Sequence, residues 1–189
     1  MIIRIMSYIL LILSKKVEGE NANEKNDAHI TALCRRAFSL CGKEGGVRVY
    51  LDNCCYNRPF DDWRQLRVKL EALAKLAVQL MMHLRTVEFA WSKVLDYEIS
   101  FNPDPKRQLS IMYWRSRASE YIDATDSLKS RGLELEALGL KPKDALHLAS
   151  AEAARCDVFL TTDDGILKKV PNVGTMKVMN PVNFMMEAR

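Results

Sequence analysis

Acidic side chains stand at five positions where several carboxylates can come together. Asp52 ends the apolar segment VRVYLD, and the adjacent Asp163 and Asp164 follow the apolar segment DVFLTT. Glu98 and Asp144 lie in segments with helical patterns. Carboxylate oxygens are the ligands that Mg²⁺ and Mn²⁺ take, usually with several waters retained. Converging carboxylates repel one another without a cation, whereas with one they can activate water and stabilise phosphoryl oxygens in a displacement reaction.

Four of these acids, taken singly, also have a structural interpretation. Asp52 begins an Asp-Asn pair, which is common in turns. Asp144 lies in the first turn after Pro142, where the helix dipole favours an anion. Asp163 or Asp164 can cap the helix that follows them. The prediction of a site therefore rests on the acids together.

Glu98 is harder to explain as a surface residue. Its helical neighbours at spacings of three, four and seven are Leu95, Val94 and Trp91, which form an apolar, inward face. Burying an unpaired carboxylate there is costly. The alternative to a metal site is a buried ion pair between Glu98 and an arginine.

The segments that position these acids alternate between strand-like and helix-like patterns. Asp62 followed by Gln65 predicts a capping box before the first long helix. Predicted strands cover 47–52, 86–91, 157–162 and 174–180, and predicted helices cover 63–83, 92–101, 106–120, 126–138 and 143–155. This alternation indicates βαβ units and a mostly parallel sheet with helices on both faces.

Ligands of open α/β sheets bind beyond the carboxyl ends of the strands. Asp52, Asp163 and Asp164 end predicted strands, and Glu98 lies in the helix after the second strand. Asp144 opens the helix that leads into the third strand, so this rule does not place it.

Composition excludes several classes of protein. The chain of 189 residues is 48% hydrophobic and 28% charged, which is ordinary for one globular domain, and a net charge of +4 is too small to indicate nucleic-acid binding by itself. Five cysteines with no CxxC pair indicate neither a disulfide framework nor a structural zinc site, and favour a reduced, cytoplasmic compartment. No P-loop or GxGxxG is present, which argues against nucleotide binding.

Residues 1–46 differ from the rest of the chain. The apolar run 2–13 contains Arg4 and is shorter than the roughly 20 residues of a spanning helix, and no small-residue cleavage site follows it. We therefore do not expect a membrane protein. We predict a largely disordered leader over 1–46, or a start codon misassigned upstream of Val47, and a folded domain over 47–189.

Four segments taken in order resemble the PIN-domain family, and most closely its VapC-like toxins of prokaryotic toxin–antitoxin pairs. They are VYLDNCCYNRPFDD, EIS, KPKDALHLASA and FLTTDDGIL. The resemblance covers about 47–186 and implies a three-layer α/β/α sandwich around a mostly parallel sheet. It also implies Mg²⁺- or Mn²⁺-dependent cleavage of RNA phosphodiesters.

The resemblance implies roles for the acids as well. Asp52, Glu98, Asp144 and Asp163 match the family's catalytic, metal-binding positions. Asp164 is either a fifth metal-binding acid or the fourth one in place of Asp163, and the resemblance favours Asp163 as the ligand. The implied chemistry is attack by water, with no covalent protein intermediate.

Other residues around the acids receive secondary assignments. Thr161 or Thr162 is expected to hydrogen-bond a ligand carboxylate. Asn53 replaces the Ser or Thr of many family members, so its equivalent role is less well supported. Arg58 is a candidate contact to RNA phosphate, and His147 is assigned a packing role rather than that of a general base.

The leading hypothesis is an endoribonuclease acting on RNA, the toxin of a pair, with an antitoxin as partner and a homodimeric state as the family expectation. A second hypothesis is a non-catalytic RNA- or protein-binding module with vestigial acids. A third, a doubly wound phosphatase, has less support from the sequence.

Overall fold

The computed structural model describes residues 46–187, and every structural statement below concerns that part of the chain. The prediction of a leader falls on residues that, apart from Gly46, lie outside the described ones. Within 46–187, no helix combines the length and hydropathy needed to cross a membrane.

A six-stranded sheet forms the centre of the domain. Its strands are β1 Arg48–Leu51, β2 Glu88–Ser92, β3 Glu120–Ile122, β4 Val158–Leu160, β5 Asn172–Val173 and β6 Met176–Met179. They lie in the order β3-β2-β1-β4-β6-β5. All neighbouring pairs are parallel except β5 and β6, which are antiparallel.

Within residues 46–187, seven α-helices lie between strands and an eighth follows β6. They are α1 Asn53–Asn57, α2 Leu66–His83, α3 Lys93–Ser100, α4 Pro105–Met112, α5 Asp126–Glu136, α6 Pro142–Ala153, α7 Asp164–Lys169 and α8 Pro181–Glu187. The chain moves one way across the sheet from β1 to β3 and then reverses to reach β4, so right-handed crossovers place α2 and the α5–α6 pair on opposite faces. Helix α2 packs against α8, and α5 packs against α6. The predicted three-layer α/β/α fold class is confirmed.

The two central strands are buried on both faces. Val49, Tyr50 and Leu51 of β1 are inaccessible to solvent, as are Phe159 and Leu160 of β4. Helices on both faces make a continuous apolar run the favourable sequence for such strands, rather than an alternating one. The Tyr50 and Phe159 rings stack, with centroids 5.5 Å apart. These strands give a rigid base to the loops at their carboxyl ends.

Two sequence predictions are wrong at the level of single elements. The capping box predicted at Asp62 and Gln65 does not form. The carboxylate of Asp62 accepts hydrogen bonds from Arg64, and helix α2 begins later, at Leu66, with no side-chain cap from Gln65. The predicted helix over 106–120 ends at Met112, and residues 120–122 form the edge strand β3. Three half-exposed residues are too few to show the period of a strand.

Helix α2 buries a row of polar side chains four residues apart. Glu71 has hydrogen bonds from Arg67 and Asn180 to its carboxylate. Lys75 is 3% exposed and lies 5.4 Å from the Tyr56 ring centroid. No carboxylate pairs with Lys75 among the described residues, and burial lowers its pKa to about 7. Lys75 therefore destabilises the fold whenever it carries its proton.

Replacing Lys75 with Met should raise the free energy of unfolding by about 2–4 kcal/mol near neutral pH. An unfolded lysine keeps its proton up to about pH 10.5, whereas folding lowers the pKa to about 7. The penalty is therefore complete below pH 7 and fades as pH rises towards 10.5, and the advantage of the variant shrinks over the same window.

Urea denaturation at several pH values between 7 and 10.5 measures this effect. The control is Lys129→Met on an exposed face of α5, for which we expect a change within about 0.5 kcal/mol. A Lys75→Met protein that is no more stable than the wild type at pH 7 would contradict the argument.

Candidate metal centre

Three side chains from three elements converge beyond the carboxyl ends of β1 and β2. Asp52 directly follows β1, Glu98 lies on α3, and His147 lies on α6. Each offers one ligand atom, and these atoms all lie within 4.8 Å of one another. Two of the acids predicted from the sequence, Asp52 and Glu98, therefore lie close together. The third member is His147, to which the sequence assigned a packing role.

Glu98 is held by two basic side chains of α6. His147 Nε2 lies 2.9 Å from Glu98 Oε2, and Lys143 Nζ lies 3.4 Å from Glu98 Oε1. Burial by itself would raise the pKa of Glu98, but the hydrogen bond with His147 and the charge of Lys143 hold that pKa below its ordinary value. Glu98 is thus kept ionised on an inward face, by His147 and Lys143 rather than by an arginine.

His147 is fixed by a buried chain of hydrogen bonds. Its Nδ1 lies 2.8 Å from the Tyr50 hydroxyl, which lies 2.6 Å from Ser92 Oγ. Ser92 Oγ also accepts a hydrogen bond from the amide of Leu95 at the start of α3. One direction of donation satisfies every member: Ser92 to Tyr50, Tyr50 to Nδ1, and Nε2–H to Glu98. If a neutral His147 instead donated from Nδ1 to Tyr50, the lone pair of Nε2 would face the carboxylate of Glu98, which is unfavourable.

Asp52 is held by Thr161, which directly follows β4, and by Cys54 of α1. Its Oδ2 accepts hydrogen bonds from Thr161 Oγ1 at 2.8 Å and from Cys54 Sγ at 3.0 Å. The amide of Thr162 donates to Cys54 Sγ. Asp52 Oδ1 lies 3.9 Å from His147 Nε2. One carboxylate oxygen is therefore tied to the scaffold, and the other faces the cluster.

Cys54 is a site residue that sequence reasoning missed. The Cys54-Cys55 pair indicates two small buried side chains, and only Cys55 fits that description, with its thiol donating to the Leu160 carbonyl. The signal available in the sequence was the spacing, because a side chain two positions after Asp52 can fold back onto its carboxylate.

Asp52 and Asp163 both lie close enough to Asp144 for their charges to act on it. The pKa of Asp144 is raised, first by burial and then by the charges of Asp52 and Asp163. Asp163 caps α7, its carboxylate accepting a hydrogen bond from the amide of Gly165 at 2.6 Å. Asp144 therefore links the charge of Asp163 to that of Asp52, although neither Asp144 nor Asp163 belongs to the group of ligand atoms within 4.8 Å.

In the described part of the chain, the side chains of the other predicted site residues make no hydrogen bond or ion pair with the cluster. Asp164 forms a two-bond ion pair with Arg67 at 2.6 and 2.8 Å. Asn53 Oδ1 accepts from the side-chain amide of Asn57. The hydroxyl of Thr162 is buried and has no hydrogen-bond partner among the described residues.

Arg58, the predicted RNA contact, is engaged by two acids. It pairs with Asp61 at 3.1 Å and lies 3.0 Å from Glu71, a close ion pair that lacks hydrogen-bond geometry. Its charge also lowers the pKa of Asp164, after the larger effects of Arg67 and Lys168. Arg58 therefore lies beside α7, at the edge of the acidic cluster.

Comparison with known proteins gives structural matches, but no match to a family model or a curated protein. A chain from the crystal structure of VapBC2 from Rickettsia felis, bound to a DNA fragment from their promoter, matches with a TM-score of 0.44. The two chains are 18% identical, and the match covers 71% of this chain and 98% of that one. Similarity at this level assigns neither a family nor an activity.

Removing the Tyr50 hydroxyl should cost about 1–3 kcal/mol of unfolding free energy, because the buried Ser92 and His147 each lose a partner. The matched control is Tyr56→Phe. Tyr56 is also fully buried, and its hydroxyl has no hydrogen-bond partner among the described residues, so its loss should be neutral or stabilising. Urea denaturation of both variants checks this. Equal losses would show that the chain of hydrogen bonds contributes nothing specific.

Proposed function

We propose that the domain over residues 47–189 is a metal-dependent endoribonuclease that hydrolyses RNA phosphodiester bonds. The observation that carries the proposal is the convergence of Asp52, Glu98 and His147 within 4.8 Å, with Asp144 and Asp163 beside them. A pocket in which burial and the charges of neighbouring carboxylates raise the pKa of Asp144 is poised to accept a cation.

The donor set fits a divalent ion that favours oxygen. Carboxylates suit Mg²⁺ and Mn²⁺, and an imidazole beside them is compatible with Mn²⁺. Asp52 and Glu98 would hold the ion directly, and Asp144 and Asp163 would hold it directly or through water. When bound, the ion would lower the pKa of a water molecule and offset charge that develops on the phosphate.

The surrounding residues would keep the ligands in place. Thr161 and Cys54 hold one oxygen of Asp52, which leaves the other free to bind. His147, itself fixed by Tyr50, holds Glu98. Such outer contacts typically change metal affinity 10- to 100-fold when they are removed.

A polyanionic substrate requires positive charge next to the acidic pocket, and basic side chains surround it. The charge of Lys141 acts on Asp144, and Lys143 contacts Glu98. Arg58 and Lys168 act on Asp164. Cations that track a backbone of phosphates are the usual means of binding single-stranded nucleic acid.

The resemblance to VapC-like toxins extends the proposal to a biological role. The chain would be the toxin of a toxin–antitoxin pair, acting on RNA in the cytoplasm, forming a homodimer and binding a cognate antitoxin. The acidic pocket is the feature that such an antitoxin would need to block.

Substitution of Asp52 by Asn should reduce metal-dependent RNA cleavage at least about 100-fold, because loss of a ligand charge removes several kcal/mol of transition-state stabilisation. The fold should persist, since the change relieves repulsion with Asp144. Gel-based cleavage of single-stranded RNA in Mn²⁺, with and without EDTA, measures the effect, and thermal denaturation checks the fold.

The control is Asp62→Asn, which removes an exposed carboxylate that is paired only with Arg64 among the described residues. It should retain wild-type activity. Full activity of the Asp52→Asn protein, or wild-type cleavage that persists in EDTA, would overturn the proposal. Absence of Mn²⁺ binding by the wild type in calorimetry would instead favour a non-catalytic binding module.

The adjacent acids Asp163 and Asp164 should differ in their effect on metal binding. Asp163→Asn keeps a side chain that can cap α7 but removes a charge near Asp144, so Mn²⁺ affinity should fall about 10-fold. Asp164→Asn breaks only the exposed pair with Arg67, which is worth about 0–1 kcal/mol, and Mn²⁺ affinity should not change. Isothermal titration with Mn²⁺ compares the two, and the reverse order would assign the ligand to Asp164.

A further inference from the structure

Two basic side chains of α6 contact the same carboxylate. Lys143 and His147 lie one helical turn apart, and each approaches a different oxygen of Glu98. The metal site proposed above needs at least one of these oxygens. A divalent ion at this carboxylate would therefore compete with the positive charge already in contact with it.

The two contacts differ in how firmly they are held. The His147 side chain is 1% exposed, and its far nitrogen is fixed by Tyr50. The Lys143 side chain is 63% exposed, and Glu98 is its only ion-pair partner among the described residues. The distance of 3.4 Å is also longer than a good charged hydrogen bond. Lys143 is the contact that can exchange.

Electrostatics gives the direction of the exchange. An ammonium group and a divalent cation near Glu98 repel each other and compete for the same oxygen. The flexible four-carbon stem of a lysine lets its ammonium group move several ångströms with no change in the helix. A displaced Lys143 would remain next to the cluster, where a phosphate bound at the metal would lie.

We propose that Lys143 is an exchangeable counterion: it neutralises Glu98 before metal binding, leaves when a divalent cation binds, and then binds a phosphate oxygen of the RNA. This inference rests on the proposed function. It identifies Lys143 as a substrate-binding residue that no motif of the sequence indicates.

The two arginines nearest the cluster do not have this property. Arg67 is paired with Asp164, and Arg58 with Asp61 and Glu71. Those carboxylates lie outside the convergent group, so metal binding leaves the pairs intact. Only a cation that depends on a ligand carboxylate is released by the metal.

Calorimetric titration with Mn²⁺ tests the first half of the inference. Lys143→Ala should bind Mn²⁺ about five-fold more tightly than the wild type, because a competing cation has been removed. The control is Lys129→Ala, which deletes the same charge from an exposed position on α5, where Lys129 pairs with Asp126; it should change affinity less than about two-fold. Equal or weaker Mn²⁺ binding by Lys143→Ala would overturn the counterion role.

Cleavage kinetics on single-stranded RNA at several salt concentrations test the second half. Lys143→Ala should raise KM about 10-fold with kcat nearly unchanged, and the logarithm of kcat/KM should fall less steeply with salt by about 0.7, the slope of one phosphate contact. Lys143→Arg should restore KM to within about three-fold, because it retains the charge. An unchanged KM and salt slope in Lys143→Ala would overturn the substrate contact.

The two proposals fail in different ways. If the wild type cleaves no RNA in Mn²⁺, the proposed function fails, while the Mn²⁺ titrations still decide whether Lys143 is a counterion. If the wild type cleaves RNA and Lys143→Ala matches it in both assays, the inference fails and the proposed function stands.

Discussion

The site depends on one physical constraint, which is that ionised carboxylates must be kept close together at the carboxyl edge of a parallel sheet. Without a bound cation, such proximity is unfavourable for the ionised forms: burial and the charges of Asp52 and Asp163 raise the pKa of Asp144. Hydrogen bonds that favour the ionised form reduce the cost. Thr161 and Cys54 provide them to Asp52, and His147 provides one to Glu98.

These donors are effective because the core holds them rigidly. Tyr50 belongs to a central strand and is inaccessible to solvent, so its hydroxyl has one location, between Ser92 and His147. Residues from β1, β2 and α6 are thereby tied to the same point. A buried network of this kind is favourable only when every member has a partner, which is the case for this one. Because the sheet fixes Tyr50, Tyr50 fixes His147, and His147 in turn fixes the orientation of Glu98.

Sequence patterns identified the parts of this arrangement that follow from local periodicity. The apolar runs of β1 and β4 locate Asp52 and Asp163 at strand ends, and helical spacing places Glu98 on an inward face. The partners of these acids are far away in sequence, and His147 meets Tyr50 across 97 positions. Local patterns carry no information on such pairs, so His147 could be predicted as buried but not as a member of the cluster.

Local rules also failed where two interactions compete for one residue. Asp62 has the spacing of a capping residue, but Arg64 binds its carboxylate and the helix starts later. Strand β3 was not predicted for a different reason. An edge strand of three residues is defined by its pairing with β2 rather than by its own sequence pattern.

Adjacent identical residues show how the fold separates side chains that sequence alone treats as equivalent. Where a strand is followed by a helix, successive side chains point in different directions. Only one residue of the Asp163-Asp164 pair therefore faces the other acids. Asp163 caps α7 beside the cluster, while Asp164 reaches back to Arg67 and ties the start of α7 to α2. That ion pair holds Asp163 in place from outside the cluster. Asp52 and Glu98 are likewise restrained by residues of other segments, so the carboxylates remain close together.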